Sequence, residues 1–459
     1  MMLRRAQRRW GVRVLAAGVA MLAAQAAGAE TLSDALAKAY LNNPDINQQR
    51  AGVRAADEGI PKARAGLMPT ARAEADVGIS SDQLNVASTT TTPRGIALTV
   101  QQTLWDGNRT PNTVKQAESG VMETREQLRS TEESVLLEAA TAYMDVMRDT
   151  AILSLNKSNV DVLNEQLRQT KDRFDVGEVT RTDVAQAEAS LAGAQAQVLT
   201  AGSNLNASIA NYHLYVGEQP KALAPAGPLN KGLPKSVQDA VSIAQLEHPS
   251  VVGALHAVDA AELAVKIAEG ALYPTVGVSG TISQRYDLNA SVPGTHGFVG
   301  TLLGQLNVPI YQGGAEYASI RQAKEQLGQA ELQSDLARDK VRDAVVAAWG
   351  ANENSVGLVR AAKAQVAAAE VALAGTREEA KVGQRTTLDV LNAQQVLLNA
   401  RVALVTAQHD SVVNSYNLFA AIGRLSPTNL GLRVASYDPR THFDQVKDKW
   451  FGVRTPDGK

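Results

Sequence analysis

Val176-Gly177-Glu178-Val179-Thr180-Arg181-Thr182-Asp183 returns as Val382-Gly383-Gln384-Arg385-Thr386-Thr387-Leu388-Asp389, about 206 residues further on. Each stretch has Gly where an incoming helix would end and Thr-x-x-Asp where an outgoing one would start. Gly permits the left-handed C′ conformation, Thr180 or Thr386 serves as N-cap, and the Asp lies near the positive end of the helix dipole. Two such reversals predict a duplicated helical hairpin. The same offset relates Gly107 to Gly313 and Val216-Gly217 to Ile422-Gly423; an offset one residue shorter relates Pro44 to Pro249 and Pro69 to Pro274. One indel therefore links two copies of one unit, and any function must use that unit twice.

Outward from the reversals the chain repeats at seven. Val114, Val121, Leu128, Val135 and Ala142 form one line; after a step of four, Val146, Leu153, Val160, Leu167 and Phe174 form another, a heptad seam with one stutter. The return helices carry Val184, Leu191, Val198, Leu205 and Tyr212 in one half and Val390, Leu397, Leu404, Ser411 and Leu418 in the other. From Thr110 to Val176, about 67 residues at roughly 1.5 Å each predict a rod on the order of 100 Å. Aromatics are 4% of the chain, so no bulky globular core is expected.

Ahead of each hairpin the period falls to two. A helix containing Leu32 to Leu41 and a longer one from Pro44 to about Leu67 come first. Then Ala71, Ala73, Ala75, Val77 and Ile79 alternate with Arg72, Glu74, Asp76 and Gly78, which predicts a strand with unlike surroundings on its two faces. Strands are expected at about 70–80, 95–105, 275–286 and 299–311, each near the roughly 9 to 11 residues of a tilted membrane strand. The pattern leaves open which face meets lipid. Long loops are expected around Asp82 to Pro93 and Asp287 to His296.

Met1 to Ala29 reads as a secretory signal peptide, with five arginines, the apolar run Val14 to Ala24 and a small-residue end at Ala27-Gly28-Ala29. A membrane anchor is the alternative, but the run is about half of the roughly 20 residues needed to span a bilayer. Removing those arginines makes the net charge of −2 more negative, so a nucleic-acid partner is not expected. The chain has no cysteine, which excludes disulfides, a thiol nucleophile, thiolate metal sites and lipoprotein acylation. Beyond the leader no apolar run could span a membrane, so any crossing must use strands. Four strands cannot close a barrel, and the chain must therefore oligomerise; two copies would give a filled eight-stranded barrel and three a twelve-stranded one with a lumen. Periodicity does not choose between them.

The residues resemble the TolC-like outer-membrane channels of efflux pumps and type I secretion systems over nearly the whole mature chain. The resemblance rests on Thr31-Leu32 to Asn43-Pro44, Leu67-Met68-Pro69, Val308-Pro309-Ile310-Tyr311-Gln312-Gly313-Gly314, and Lys381 to Thr386 followed by Asp389-Val390-Leu391-Asn392-Ala393. It implies a mainly α fold with a small membrane β-barrel, built from a duplicated helix, strand, strand, helix unit. It also implies a homotrimer sharing twelve strands in outer-membrane lipid, a long α-helical periplasmic tunnel, and a tip engaged by a periplasmic adaptor (a membrane fusion protein) and an inner-membrane pump of RND or ABC type. The expected organisation is a leader over 1–29, a first repeat over 30–217 with its coiled-coil hairpin at about 110–216, and an equatorial linker over 218–235. A second repeat follows over 236–423 with its hairpin at about 314–423, then a tail over 424–459 that wraps the middle of the barrel or is disordered.

For the tip, the resemblance implies that the position of Asp389 brings carboxylates into the pore, that Arg385 joins links holding the entrance closed, and that Asp183 is its partner on the neighbouring coil. Capping and gating are compatible. A ring of like charges attracts cations and is costly to desolvate. The chain departs from the best-known pattern at Asn392, which replaces a second Asp, at Ala380, which replaces a Tyr, and at Asp172, a possible substitute contact for Arg385. The turns Val176, Gly177, Thr180, Val382, Gly383 and Thr386 resemble adaptor-docking grooves. Trp105 and Tyr311 fit either membrane-interface aromatics or ordinary packing at the junction of strand and helix. No cofactor, metal site or catalytic residue is expected: the six histidines show no i, i+4 pairing and none repeats at the 206 offset. The competing class is a non-channel coiled-coil spacer or surface fibre, which would have no use for paired membrane-length strands.

Overall fold

The computed structural model describes residues 29–84, 87–230, 232–287 and 294–458. The leader, apart from Ala29, and most of the second expected loop lie outside the described residues. The first half contains α1 (Leu32–Asn42), α2 (Pro44–Asp57), α3 (Gly59–Arg64), β1 (Thr70–Val77), β2 (Ser80–Leu84), β3 (Ala87–Thr91), β4 (Arg94–Trp105), α4 (Arg109–Asp175) and α5 (Arg181–Val216). The second contains α6 (Val237–Glu247), α7 (Pro249–Glu269), β5 (Thr275–Tyr286), β6 (His296–Asn307), α8 (Ala315–Lys381) and α9 (Thr387–Ala421), and α10 (Arg440–Val446) lies in the tail. The duplication is exact in length where it matters most, since α4 and α8 are both 67 residues.

Three expectations are corrected. The helix expected from Pro44 to Leu67 is split between Asp57 and Gly59, because Pro61 has no N–H for the carbonyl of residue 57 and its ring crowds that carbonyl. Its twin α7, with Lys266 at the matching place, runs unbroken. The loop after Asp82 is instead a hairpin, β2 paired with β3 from Ser80↔Thr91 onward. Its Ser and Thr are polar like a loop, but β-branched Thr suits a strand. The fourth strand runs over 296–307 rather than 299–311: Pro309 cannot donate to a ladder, and Tyr311 falls beyond the strand in an exposed connector.

Strand order is β1-β4-β5-β6, antiparallel throughout, with β1 and β6 as unpaired edges of the sheet. The register resolves the face that alternation left open. Ala73, Leu98, Ile282 and Gly300 lie in one row, and Ala71, Val100, Gly280 and Leu302 in the next, so the middle of one face is apolar from edge to edge, with Arg94, His296 and Gln102 at its ends. The other carries Arg72, Thr99, Thr281 and Thr301 in one row and Asp76, Gly95, Arg285 and Gly297 in another. Gly95 has no side chain to obstruct the row, and Arg285 reaches across it to Asp76 at 3.1 Å. Water-side chemistry on one face and hydrocarbon on the other fit a sheet between lipid and a lumen. Among the described residues no helix is long and apolar enough to cross a membrane.

The coiled seam follows the apolar reading on α9, where Val390, Leu397, Ser411 and Leu418 are buried, and departs from it on α4 and α5. The buried line on α4 continues at seven without a step through Val121, Leu128, Val135, Ala142, Asp149, Asn156, Leu163 and Thr170. The line from Val146 to Phe174 flanks it and ends exposed. On α5 the buried line is Ala187, Ala194, Ala201 and Ser208 rather than the one through Val184, and on α8 it is Ala348, Ser355, Ala362 and Ala369. Small residues at the facing positions let the helices approach closely. Polar members are satisfied in place: the Ser208 hydroxyl donates to Asp149 at 2.5 Å, and Arg148 donates to the same carboxylate at 2.8 Å.

Bulk gathers at one level, where Tyr40, Tyr143 and Tyr212 are fully buried with Leu36, Leu136 and Phe419. There the Tyr143 hydroxyl lies 2.8 Å from the Glu30 carbonyl and 2.6 Å from that of Ala224, tying the chain start and the linker to α4. Glu133 on α4 is also buried, and burial pushes its carboxyl up to about 8, with Arg129 only partly opposing. A folded value above the ordinary 4.5 means that this group favours folding most below pH 4.5 and loses that contribution as pH rises towards about 8. Glu133→Gln is therefore expected to stabilise the protein by on the order of 2 to 4 kcal/mol at pH 8. The gain should shrink towards zero near pH 4.5, read as the difference in unfolding midpoint against pH.

Candidate functional site

Both helix reversals lie at the end of the rods far from the sheet, and each is closed by two local devices. At the C-terminus of α4, Gly177 donates to the Phe174 carbonyl and Glu178 to the Arg173 carbonyl, both at 2.9 Å; at the C-terminus of α8, Gly383 donates to Ala380 at 3.2 Å and Gln384 to Glu379 at 2.9 Å. These are Schellman closures, and they need the left-handed backbone that Gly177 (φ 81°) and Gly383 (φ 78°) adopt. At the start of α5, Thr180 N–H and hydroxyl donate to Asp183 at 2.9 and 2.7 Å, while Asp183 N–H returns a bond to the hydroxyl at 3.3 Å. Thr386 and Asp389 form the same capping box at the start of α9, at 2.9, 2.9 and 3.2 Å.

The capping bonds set the carboxyl chemistry. The Thr180 hydroxyl, then its N–H, holds Asp183 below the usual Asp range, and the Thr386 N–H, then its hydroxyl, does so for Asp389. Both aspartates are half-buried, and their carboxylates stay charged through the physiological range. The cap uses one oxygen of Asp389, Oδ2, in both bonds.

An ion pair clasps each turn with reversed polarity. Arg173 on α4 donates to Glu178 beyond the turn at 3.0 Å, whereas Glu379 on α8, the 206-offset twin of Arg173, accepts from Arg385 at 2.9 Å. Glu379 raises the already high affinity of Arg385 for its proton. Sequence reading missed Glu379, Arg173 and Glu178, although the offset that aligned the turns would have found the exchange of sign. Asp172 does not reach Arg385 within the chain; it faces Arg168 one turn back at 3.9 Å. Asn392 is exposed on α9. Within one chain Asp172, Asp183 and Arg385 thus keep separate partners, while the Arg385 charge adds to the lowering of Asp389.

Val176 and Val382 are both exposed, and a Cβ added at Gly177 or Gly383 would meet nothing within 4 Å, so each turn presents an open notch. Beside them a groove of about 970 Å³ runs between the ends of α4 and α8, lined by Val162, Gln166, Arg173, Arg377, Lys381 and Val390 among others. Trp105 ends β4 after a shift of register between Thr103 and Trp105 and is exposed, as is Tyr311 in the connector to α8. Among the described residues no cluster of His, Asp and Glu is arranged to hold a metal ion.

The family model described as "Outer membrane efflux protein" matches residues 35–217 and 240–424, one segment in each half of the duplication. The chain is 44% identical over 439 residues to the outer membrane efflux protein BepC of Brucella suis biovar 1 (strain 1330), covering 96% of this chain and 95% of that protein. It is 27% identical to the outer membrane protein TolC of Escherichia coli (strain K12), over 88% of this chain and 84% of that one, and 27% identical to the alkaline protease secretion protein AprF of Pseudomonas aeruginosa, over 68% and 66%. Among solved structures, the CmeC outer membrane channel of Campylobacter jejuni superposes with a TM-score of 0.77 at 16% identity, covering 91% of this chain and 89% of that one, a likeness of fold. With its two-faced sheet above duplicated helical hairpins, the chain belongs to the outer membrane efflux protein family, whose members are channels and not enzymes.

Proposed function

We propose that three copies of this outer-membrane channel join their four-stranded sheets into one twelve-stranded barrel, and that the joined hairpins form the exit duct of a tripartite efflux pump or type I secretion system. The observation that carries this reading is the sheet itself, apolar on one face, polar on the other, and unpaired at β1 and β6. Such edges cannot remain open in lipid, and twelve strands leave the lumen that eight would fill. A spacer or fibre has no use for a sheet of this kind. The leader directs export, and a chain without cysteine cannot be held by lipoprotein acylation.

The tip is where the duct is controlled. A periplasmic adaptor docks at the notches of Gly177 and Gly383, and an inner-membrane pump of RND or ABC type supplies the cargo. Three Asp389 carboxylates ring the entrance, each with one oxygen committed to its cap, while Arg385 divides its contacts between Glu379 in its own turn and Asp183 of the neighbouring copy. Asn392 leaves one carboxylate ring where a second would otherwise stand. Asp389→Asn separates the two duties of this side chain, because its amide oxygen can still accept from Thr386 while the charge is gone. In single-channel recordings the concentration of a trivalent cation needed for half block is expected to rise by roughly tenfold or more, with the trimer intact. Unchanged block would remove Asp389 from the entrance.

A further inference from the structure

The two halves of the chain meet where β4 pairs with β5 and where α4 packs on α7. The duplication gives each of these contacts a twin, β6 with β1 and α8 with α2, that one chain leaves open because β1 and β6 are opposite edges of its sheet. The offsets fix those twins residue by residue. Pro69 leads straight into β1 and Gly107 follows β4, so α2 and β1 carry the offset of 205, β4 and α4 that of 206, and the odd residue falls between the two strands. Pairing inside each half agrees with this assignment. Val77 faces Arg94 in the first half, and their twins Ile282 and Gly300 face each other in the second.

Between the halves Thr99 faces Thr281 and Gln101 faces Ser279. The same offsets turn these pairs into Gln305 opposite Asp76, and Asn307 opposite Glu74, of the next copy. The chemistry of both faces fits that register. On the apolar face Gly304 and Leu306 come opposite Val77 and Ala75, and on the polar face two amides that can donate come opposite two carboxylates that accept. A slip of one residue would carry the polar row of β1 into lipid.

The helices continue the boundary away from the sheet. Gln116 on α4 donates to the Ala260 carbonyl on α7 at 3.2 Å, and a Cβ on Gly253 would lie 3.4 Å from that of Glu126. At the junction with the sheet, a Cβ on Gly107 would lie 2.5 Å from the Gly270 carbonyl oxygen and 2.8 Å from the Tyr273 Cβ. The twins have no such cover within one chain. Among the described residues nothing lies within 4 Å of the Cβ position of Gly313; Gln48, Ala55 and Gln322 are exposed, and Leu332 is 72% exposed. The tail leaves this face of α2 open, since it meets Arg54 and Asp57 on another side of the helix from Gln48 and Ala55.

We propose that copies join through the contacts that join the halves. β6 of one copy pairs with β1 of the next, Gln305 opposite Asp76 and Asn307 opposite Glu74. Below the strands Gly313 packs on Ala65 and Met68 of the next copy, Gln322 donates to its Ala55 carbonyl, and Leu332 lies on its Gln48. The boundary rests on the homotrimeric reading and adds the register in which the copies close.

A cysteine-free chain makes the register measurable. The full-length variant Asn307→Cys with Glu74→Cys, oxidised mildly in detergent, is expected to give reductant-sensitive species of two and three times the chain mass. Its twin, Gln101→Cys with Ser279→Cys, is expected to close within one chain at unchanged mass. Leu303→Cys with Glu74→Cys, four residues out of register, is expected to give no crosslink. Where cysteines in the strands prevent assembly, Leu332→Cys with Gln48→Cys reads the same boundary on the helices, with Glu126→Cys and Gly253→Cys as its twin within the chain. A protein of trimer mass whose twin pair closes while the pair between copies does not, or whose out-of-register pair links instead, overturns this boundary and leaves the trimer standing. A monomer or dimer mass for the unmodified protein overturns both.

Discussion

Arg385→Ser is expected to raise the resting conductance of the channel in planar bilayers while the trimer mass stays that of the unmodified protein. Three copies of one link are lost together, so a two- to threefold shift per copy multiplies to roughly tenfold or more in the open fraction. The geometry of the turn supplies a control of opposite sign. Glu379 holds Arg385 within its own turn at 2.9 Å, in competition with any contact across the subunit boundary. Glu379→Gln releases the guanidinium to the neighbouring copy and is expected to lower resting conductance. If both substitutions raised it, Arg385 would be acting on the shape of its own turn and not as a link between subunits.

The second large effect concerns the tail. Asp57 is fully buried between His442 at 2.9 Å and Arg125 at 3.6 Å, so Asp57→Ala leaves a buried guanidinium without its carboxylate. Breaking a buried pair by removing one partner costs about 3 to 5 kcal/mol. The loss should release α10, exposing Lys447 and Lys449 to trypsin at protein concentrations where the parent chain resists cleavage. The double variant Asp57→Leu with Arg125→Leu removes both charges and is expected to recover much of the stability. Equal loss in the single and double variants would mean that packing volume, and not the unpaired charge, holds the tail.

The duplication made the fold legible. Proline, glycine and Thr-x-x-Asp positions recur at offsets that differ by a single residue, and each recurrence names a place where the backbone must turn, which is why α4 and α8 could be bounded closely from residues alone. Apolar periodicity gave the buried line of α9 through Val390, Leu397, Ser411 and Leu418 and the first part of the line on α4, but not the seam on α5 or on the far half of α4. Burial in these hairpins follows Ala187, Ala194 and Ala201 and even Asp149, because close approach of helices rewards small side chains and tolerates a polar one whose partner lies opposite. Likewise a run of Ser and Thr after Gly78 reads as a loop by polarity, yet it pairs as β2 and β3.

At the tip, the caps at Thr180 and Thr386 were readable because a capping box is local in sequence. The clasp of Glu379 on Arg385 spans only six residues, but it has the opposite polarity from its twin and so did not register as a repeat. The docking of the tail was beyond reach for a different reason. His442 and Asp57 are 385 residues apart, and His442 lies outside the duplication, so no periodicity or spacing connects them.

The most direct measurement is single-channel conductance of the purified, unmodified protein in planar bilayers, with its oligomeric mass determined in the same detergent. A trimer with a small cation-selective conductance that multivalent cations block is the predicted result. A stable monomer or dimer that conducts nothing would contradict the account.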